Sequence, residues 1–377
     1  MNTNIYVSYL DTASTTKIDQ RVLDEMLPYF TEFYGNASSS HKFGEIAKQA
    51  IDRSRIQVAN IINCDKDEII FTSGSTESIN LAIKGYVESN QDKGNHIITV
   101  QTEHKAVLST CEYLETKGYE VTYLDVDESG LISLEQLRES VKKNTLIVVI
   151  MYINNETGVI QPIRDIGKLC NDNNIAFFCD ATQAVGKINV DIEEDQIDML
   201  CFSGHKLNGP KGIGALYKRE GIELTPLIHG GGQEGGLRGG TYNTPLIVGL
   251  GKACEVIYDG MDESISKIES IVDYFISSLK NITNCKIISE RNLRSSNIVN
   301  IIIENLDSNV FIGMNKSIAL SNGSACNSGV MDGSHVLKAM NITNYNNYNN
   351  IRVSIDKCSS KADVDALIQA LRKTISS

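Results

Sequence analysis

Residues 68–217 alternate apolar runs of strand length with runs of helical periodicity, and few folds accept that pattern. Strands are expected at 68–72, 96–100, 119–124, 146–153, 175–179, 197–202 and 215–217. Helices are expected between them at 76–87, 105–117, 134–141 and 163–171. The strands are almost continuously apolar, as strands buried on both faces must be. Apolar strands spaced by helices predict an α/β fold with a mostly parallel, seven-stranded sheet covered on both sides. Upstream lie a strand-like run at 5–10, a polar turn at 11–16 and helical stretches at 19–30 and 44–62. Downstream, 245–279 reads as a long helix broken near Asp259-Gly260. The pattern then changes, with strand candidates 298–303, 318–320 and 351–355 mixed with helices near 336–340 and 362–375. The expected organisation is a large domain over 13–255 and a smaller α+β domain from 1–12 and 256–377. The Asn-rich run 341–350 reads as a solvated connection.

Bulk properties narrow the function classes. A formal net charge of −12 argues against a direct nucleic-acid or anionic-membrane surface, though not against work through a basic partner. No apolar stretch reaches membrane-spanning length, and the first residues, MNTNIYVSYLD, lack the basic and apolar regions of a signal peptide. Nine cysteines without a C-x-x-C pair form neither a disulfide framework nor a zinc spacing. No metal site is expected, and a reducing, cytoplasmic setting is.

In open α/β sheets ligands bind beyond the carboxyl ends of the strands, so the residues there carry the chemistry. Strand 68–72 runs into Ser73-Gly74-Ser75-Thr76. Glycine, hydroxyls and a helix N-terminus suit a phosphate, although Ser75 or Thr76 also reads as an ordinary N-cap. His104 follows strand 96–100, as a ring cover, an acid/base or a surface histidine. Asn155 follows strand 146–153 in a polar run that is a ligand contact or a turn. Asp180 and Gln183 follow strand 175–179, where a carboxylate can hold a pyridinium N–H or cap a helix. Ser203, His205 and Lys206 follow strand 197–202. A lysine at the end of a buried strand can lose its proton and act as an amine nucleophile. Phosphate cup, ring cover, pyridinium partner and amine together are what pyridoxal 5'-phosphate (PLP) requires.

Two later stretches add to this. The run 229–241 is too glycine-rich for a regular element, and it lacks the ending of a P-loop. Cys326 stands in a run of small polar residues, 321–329, where an exposed, mobile thiolate is expected. Arg352, in the strand candidate 351–355, is a carboxylate clamp or an exposed strand arginine.

These residues resemble the cysteine desulfurases of the class V PLP enzymes. The resemblance is carried by YLD, FTSGSTES, TEHKAV, NNETG, DATQ, SGHK with GPKGIGALY, HGGGQE and GSAC, in that family's order. The stretch 321–328 is similar to the group with a long catalytic loop. The resemblance implies a type I PLP-dependent transferase fold and sulfur removal from L-cysteine, giving L-alanine and a persulfide on Cys326 for an acceptor protein. It implies that Lys206 holds PLP and moves the Cα proton, and that Asp180 pairs with the pyridinium nitrogen. Gln183 would contact the ring hydroxyl, and His104 would stack on the ring. Ser75, Thr76, Ser203 and His205 would hold the phosphate, joined by Thr241 from the second subunit of a homodimer. Asn155 and Arg352 would hold the substrate, with Asn36 assisting at its carboxylate.

Ala37, Gly239, Asn322 and Asn327 depart from residues common in the family, and none of these removes a catalytic group. The short run from Cys326 to Ser377 leads to the expectation of an acceptor outside iron–sulfur assembly, in tRNA thiolation or DNA phosphorothioation. Two rival readings are another class V aminotransferase or lyase with an incidental Cys326, and a non-catalytic sulfur-relay scaffold.

Overall fold

The computed structural model describes residues 7–280, 282, 284–322, 333–342 and 349–375. Cys326 and most of the Asn-rich connection lie outside the described residues. In chain order the elements are β1 (Ser8–Tyr9), α1 (Gln20–Met26), α2 (Pro28–Thr31), α3 (Lys42–Asn60), β2 (Ile69–Thr72), α4 (Ser75–Ser89) and β3 (His96–Val100). Next come α5 (Lys105–Glu115), β4 (Glu120–Leu124), α6 (Leu134–Ser140), β5 (Thr145–Val149), α7 (Ile163–Asp172) and β6 (Ala176–Asp180). The strands β7 (Met199–Ser203) and β8 (Gly214–Lys218) precede the long helix α8 (Thr244–Leu279). The chain continues with β9 (Cys285–Ile287), β10 (Ile298–Ile303), α9 (Ser308–Met314), β11 (Ile318–Ala319), α10 (His335–Ala339), β12 (Asn350–Ser354) and α11 (Lys361–Ile375).

Strands β2 to β8 form one seven-stranded sheet in the order β2-β8-β7-β6-β5-β3-β4. Only β8 runs against its neighbours. Alternate side chains feed opposite faces, as the two-residue strand period requires. Phe177, Cys179, Leu200 and Phe202 pack with α1, α3, α7 and the start of α8. Phe178, Met199 and Cys201 pack with α4 and α5. Each fully buried Leu, Ile or Phe contributes roughly 1.5–3 kcal/mol, so burial on both faces holds the strand ends rigidly in place.

A second core sits beyond Gly260, where α8 leaves helical geometry. Before that point Ile247, Leu250 and Ile257 join the sheet core. After it Ile268, Ile271 and Phe275 pack with the antiparallel sheet β12-β10-β9 and with α11. β1 pairs with β11, and Leu10 joins this second core. The polar residues 11–16 then cross to the large sheet, where Thr16 N–H donates to the His205 carbonyl at 2.9 Å.

Three expectations need correction. The strand expected over 146–153 ends at Val149, and residues 150–153 follow a less regular path beside β6. The helix expected over 19–30 is two pieces, because Pro28, lacking an N–H, opens a new turn. The N-cap of α4 is Gly74 rather than Ser75 or Thr76.

Candidate active site

The carboxyl ends of β2, β3, β5, β6 and β7 face one cavity of about 580 Å³. Ser75, Thr76, His104, Asn155, Asp180, Gln183, Ser203, His205, Lys206 and Arg352 all line it. Asn36 and Thr241 do not. Asn36 is exposed, and its side-chain oxygen accepts the Ser38 N–H at 2.9 Å. Thr241 is exposed on the glycine-rich stretch.

One end of the cavity suits a phosphate. Gly74 has φ +149°, a conformation that L side chains rarely adopt, and no side chain caps α4. The first N–H groups of that helix and its positive end therefore lie beside the hydroxyls of Ser75, Thr76 and Ser203. Ser75 Oγ is 2.6 Å from Thr182 Oγ1. Glu77 braces the turn, accepting from Ser73 N–H at 2.9 Å and from Arg238 Nε at 2.9 Å. His205 Nδ1 lies 3.1 Å from Thr15 Oγ1. Burial above all, then Lys206 and Lys211, lowers the His205 pKa to about 4, so the ring is neutral near pH 7.

The middle of the cavity has a carboxylate, an amine and a ring. Asp180 Oδ1 accepts from Thr182 N–H at 3.0 Å and from the Cys201 thiol at 3.7 Å, which leaves Oδ2 for a ligand. Lys206 Nζ donates to the carbonyls of Ala13 at 2.5 Å and Ser14 at 2.7 Å. His104 caps α5, its Nδ1 accepting Ala106 N–H at 3.1 Å. The neutral ring therefore carries its proton on Nε2. Burial holds the His104 pKa below the usual imidazole value; Asp180 opposes this, while Lys206 and His335 reinforce it. Glu103, fully buried beneath, accepts Met151 N–H. Burial, and then Asp180, raises its pKa well above the usual range.

The far wall comes from the second core. Arg352 is only 4% exposed, which removes the exposed-arginine alternative. Its Nη1 donates to the Asn155 carbonyl at 2.9 Å, and its Nη2 donates to Asp11 Oδ1 at 2.8 Å and Ser14 Oγ at 2.7 Å. The residues flanking the Cys326 stretch are anchored close by. Ser321 accepts from the Arg352 N–H at 2.7 Å. His335 Nε2 lies 2.9 Å from the Glu103 carbonyl oxygen, and Ser334 Oγ donates to Glu156.

Sequence reasoning missed Asp11, Ser14, Thr15, Thr182 and Lys211. The first three lie in a run that locally is only a polar turn. Thr182 sat inside a motif already singled out, so its position between Asp180 and Gln183 was the available signal.

The family model for class-V aminotransferases matches residues 8–367. The chain belongs to this family. Cysteine desulfurase IscS of Ehrlichia chaffeensis is 43% identical over 373 residues, covering 97% of this chain and 91% of that one. The solved structure of a NifS-like protein matches with a TM-score of 0.92 at 36% identity, covering 98% of this chain and 99% of the other. The structure of SspA in complex with cysteine matches with a TM-score of 0.84 at 39% identity, covering 93% and 99%. This class-V enzyme is a PLP-dependent cysteine desulfurase. Its residues fit the cofactor: an uncapped helix start with hydroxyls for the phosphate, an open carboxylate oxygen for the pyridinium, and an amine in the same cavity.

Proposed function

We propose that the enzyme transfers sulfur from L-cysteine to the Cys326 thiol, leaving L-alanine and a Cys326 persulfide that serves an acceptor protein. The observation that carries this reading is one cavity lined by Lys206, Asp180, His104 and Arg352, with Ser321 bonded to Arg352 and His335 bonded to Glu103. Bound there, PLP supplies an electron sink that lets the substrate's C–S bond break.

The chain's own groups do the rest. Ser75, Thr76, Ser203, His205 and the first N–H groups of α4 bind the cofactor's phosphate. Asp180 Oδ2 would accept a hydrogen bond from the pyridinium N–H and keep that nitrogen protonated, Gln183 would contact the ring hydroxyl, and His104 would cover the ring and move protons through Nε2. Lys206 Nζ would hold the cofactor and move the substrate's Cα proton. Arg352 and Asn155 hold the substrate's carboxylate. The Cys326 thiolate then bonds the substrate's sulfur as its bond to Cβ breaks, and that carbon gains the proton of alanine.

The protein acts as a homodimer in the cytoplasm, and the partner subunit's Thr241 completes the phosphate site. Thr241 is exposed and lies outside its own chain's cavity. Exposed Leu27, Phe30, Tyr34 and Phe43 offer apolar surface for association. The eight described cysteines are unpaired, as in a reducing compartment. The large domain comprises 13–255, and 1–12 with 256–377 form the small one. Acceptors in iron–sulfur cluster assembly, tRNA thiolation and DNA phosphorothioation are the classes to compare in persulfide-transfer assays.

The test incubates the holoenzyme with L-cysteine and a reductant, beside Cys326→Ala. Equal sulfide and alanine, both lost in the variant while its PLP absorbance remains, is the expected result. Undiminished sulfide from Cys326→Ala would overturn the role of Cys326.

A further inference from the structure

We propose that Asp11, supported by Ser14, is the positioning residue of the substrate-carboxylate subsite, fixing the Arg352 guanidinium so that its unengaged Nη1–H meets the carboxylate. This rests on the reading of Arg352 as the residue that binds the carboxylate of L-cysteine.

A guanidinium has five N–H donors in a rigid plane. Both Nη2 donors are engaged, one by Asp11 Oδ1 and one by Ser14 Oγ. One Nη1 donor goes to the Asn155 carbonyl. Nε is itself buried and has no partner among the described residues. The donor left for a ligand is therefore the second Nη1–H, on a side chain that lines the cavity.

Asp11 is itself held firmly. Ser14 Oγ donates to Asp11 Oδ1 at 2.9 Å while accepting from Nη2, which closes a ring of three side chains. The Asp11 backbone bridges to Ser354, two residues beyond Arg352 on β12. Ala13 N–H donates to Ser354 Oγ at 2.9 Å. Asp11 also balances the Arg352 charge before substrate arrives. Selection of a carboxylate therefore rests on the direction of the remaining Nη1–H rather than on excess positive charge.

The test compares steady-state kinetics for L-cysteine, and the absorbance-monitored affinity for L-alanine, across holoenzyme variants. Asp11→Ala is expected to raise KM about ten-fold or more, the size of a charged hydrogen bond. Asp11→Asn, which keeps an acceptor for Nη2, and Ser14→Ala should each raise it about three-fold. In all three, kcat should stay within about three-fold and PLP content should be unchanged. Asp11→Ala added to Arg352→Gln should raise KM no further than Arg352→Gln alone, because the pair acts as one unit.

A raised KM in Arg352→Gln with unchanged or lowered KM in the Asp11 and Ser14 variants would overturn the role of Asp11 alone. An unchanged KM in Arg352→Gln would overturn the subsite reading and this inference with it. Should Asp11→Ala fail to fold, Asp11→Asn and Ser14→Ala carry the same comparison.

Discussion

The two walls of the cavity have different origins. Ser75, His104, Asp180, Ser203 and Lys206 each stand at the last residue of a sheet strand or within four residues beyond it. Their positions follow from the sheet alone. The opposite wall joins Arg352, on a strand of the second core, to Asp11 and Ser14, more than 330 positions away in the chain. The first wall is a property of one layered unit. The second exists only when the N-terminal segment, the second core and the large sheet are all in place. The residues proposed to hold the cofactor therefore sit on the wall set by the sheet, and Arg352, proposed to bind the substrate, on the wall assembled from distant segments.

The sharpest test of the rigid wall is Lys206→Ala. It should lower kcat at least about a thousand-fold, because the amine proposed to hold the cofactor and move the proton is gone. Borohydride reduction followed by mass spectrometry should also fail to fix the cofactor to the chain. Asp180→Asn should cost about a hundred-fold in kcat and shift the cofactor's absorbance, since a neutral amide cannot hold the pyridinium charge. A variant with wild-type rate and spectrum would show that the wall does not work through Asp180.

The assembled wall is tested by stability. Arg352→Gln leaves Asp11 partly buried without its cation, which should destabilise the apoprotein by about 3 kcal/mol in urea titration. A change below about 0.5 kcal/mol, the surface-substitution level, would mean that the far wall does not depend on this pair.

The last test is the pH response of His205, which lines the cavity beside Lys206. Folding lowers its pKa from the ordinary imidazole value of about 6.5 to about 4. Between those values the unfolded chain binds more protons, so stability falls as pH drops through that window. The loss is at most about 3 kcal/mol. His205→Asn apoprotein should show a flatter dependence of Tm on pH between 6.5 and 4. An identical slope would exclude His205 as a source of the acid sensitivity.

The sheet and most cavity residues were legible because their signals are local. A buried strand reads as an apolar run, and its end reads as an abrupt switch to small polar residues. Ser203-Gly204-His205-Lys206 and Asp180-Ala181-Thr182-Gln183 both show that switch. Boundaries were less legible. β5 stops at Val149 although Ile150 to Ile153 are as apolar as the strand, because hydrophobicity records burial and not backbone regularity. Gly74 as the cap of α4 was also hidden, since serine and threonine are the commoner cap residues.

What the chain determined by itself was the period of its elements and the chemistry offered at each strand end. Both depend on neighbours in sequence. Only the tertiary structure decided that Ala13 and Ser14 would present carbonyls to Lys206, that Glu103 would be fully buried beside Asp180, and that Arg352 would be paired rather than exposed. Those outcomes follow from desolvation and donor satisfaction among groups far apart in the chain. A buried cation needs acceptors, and which acceptors reach it is settled by packing.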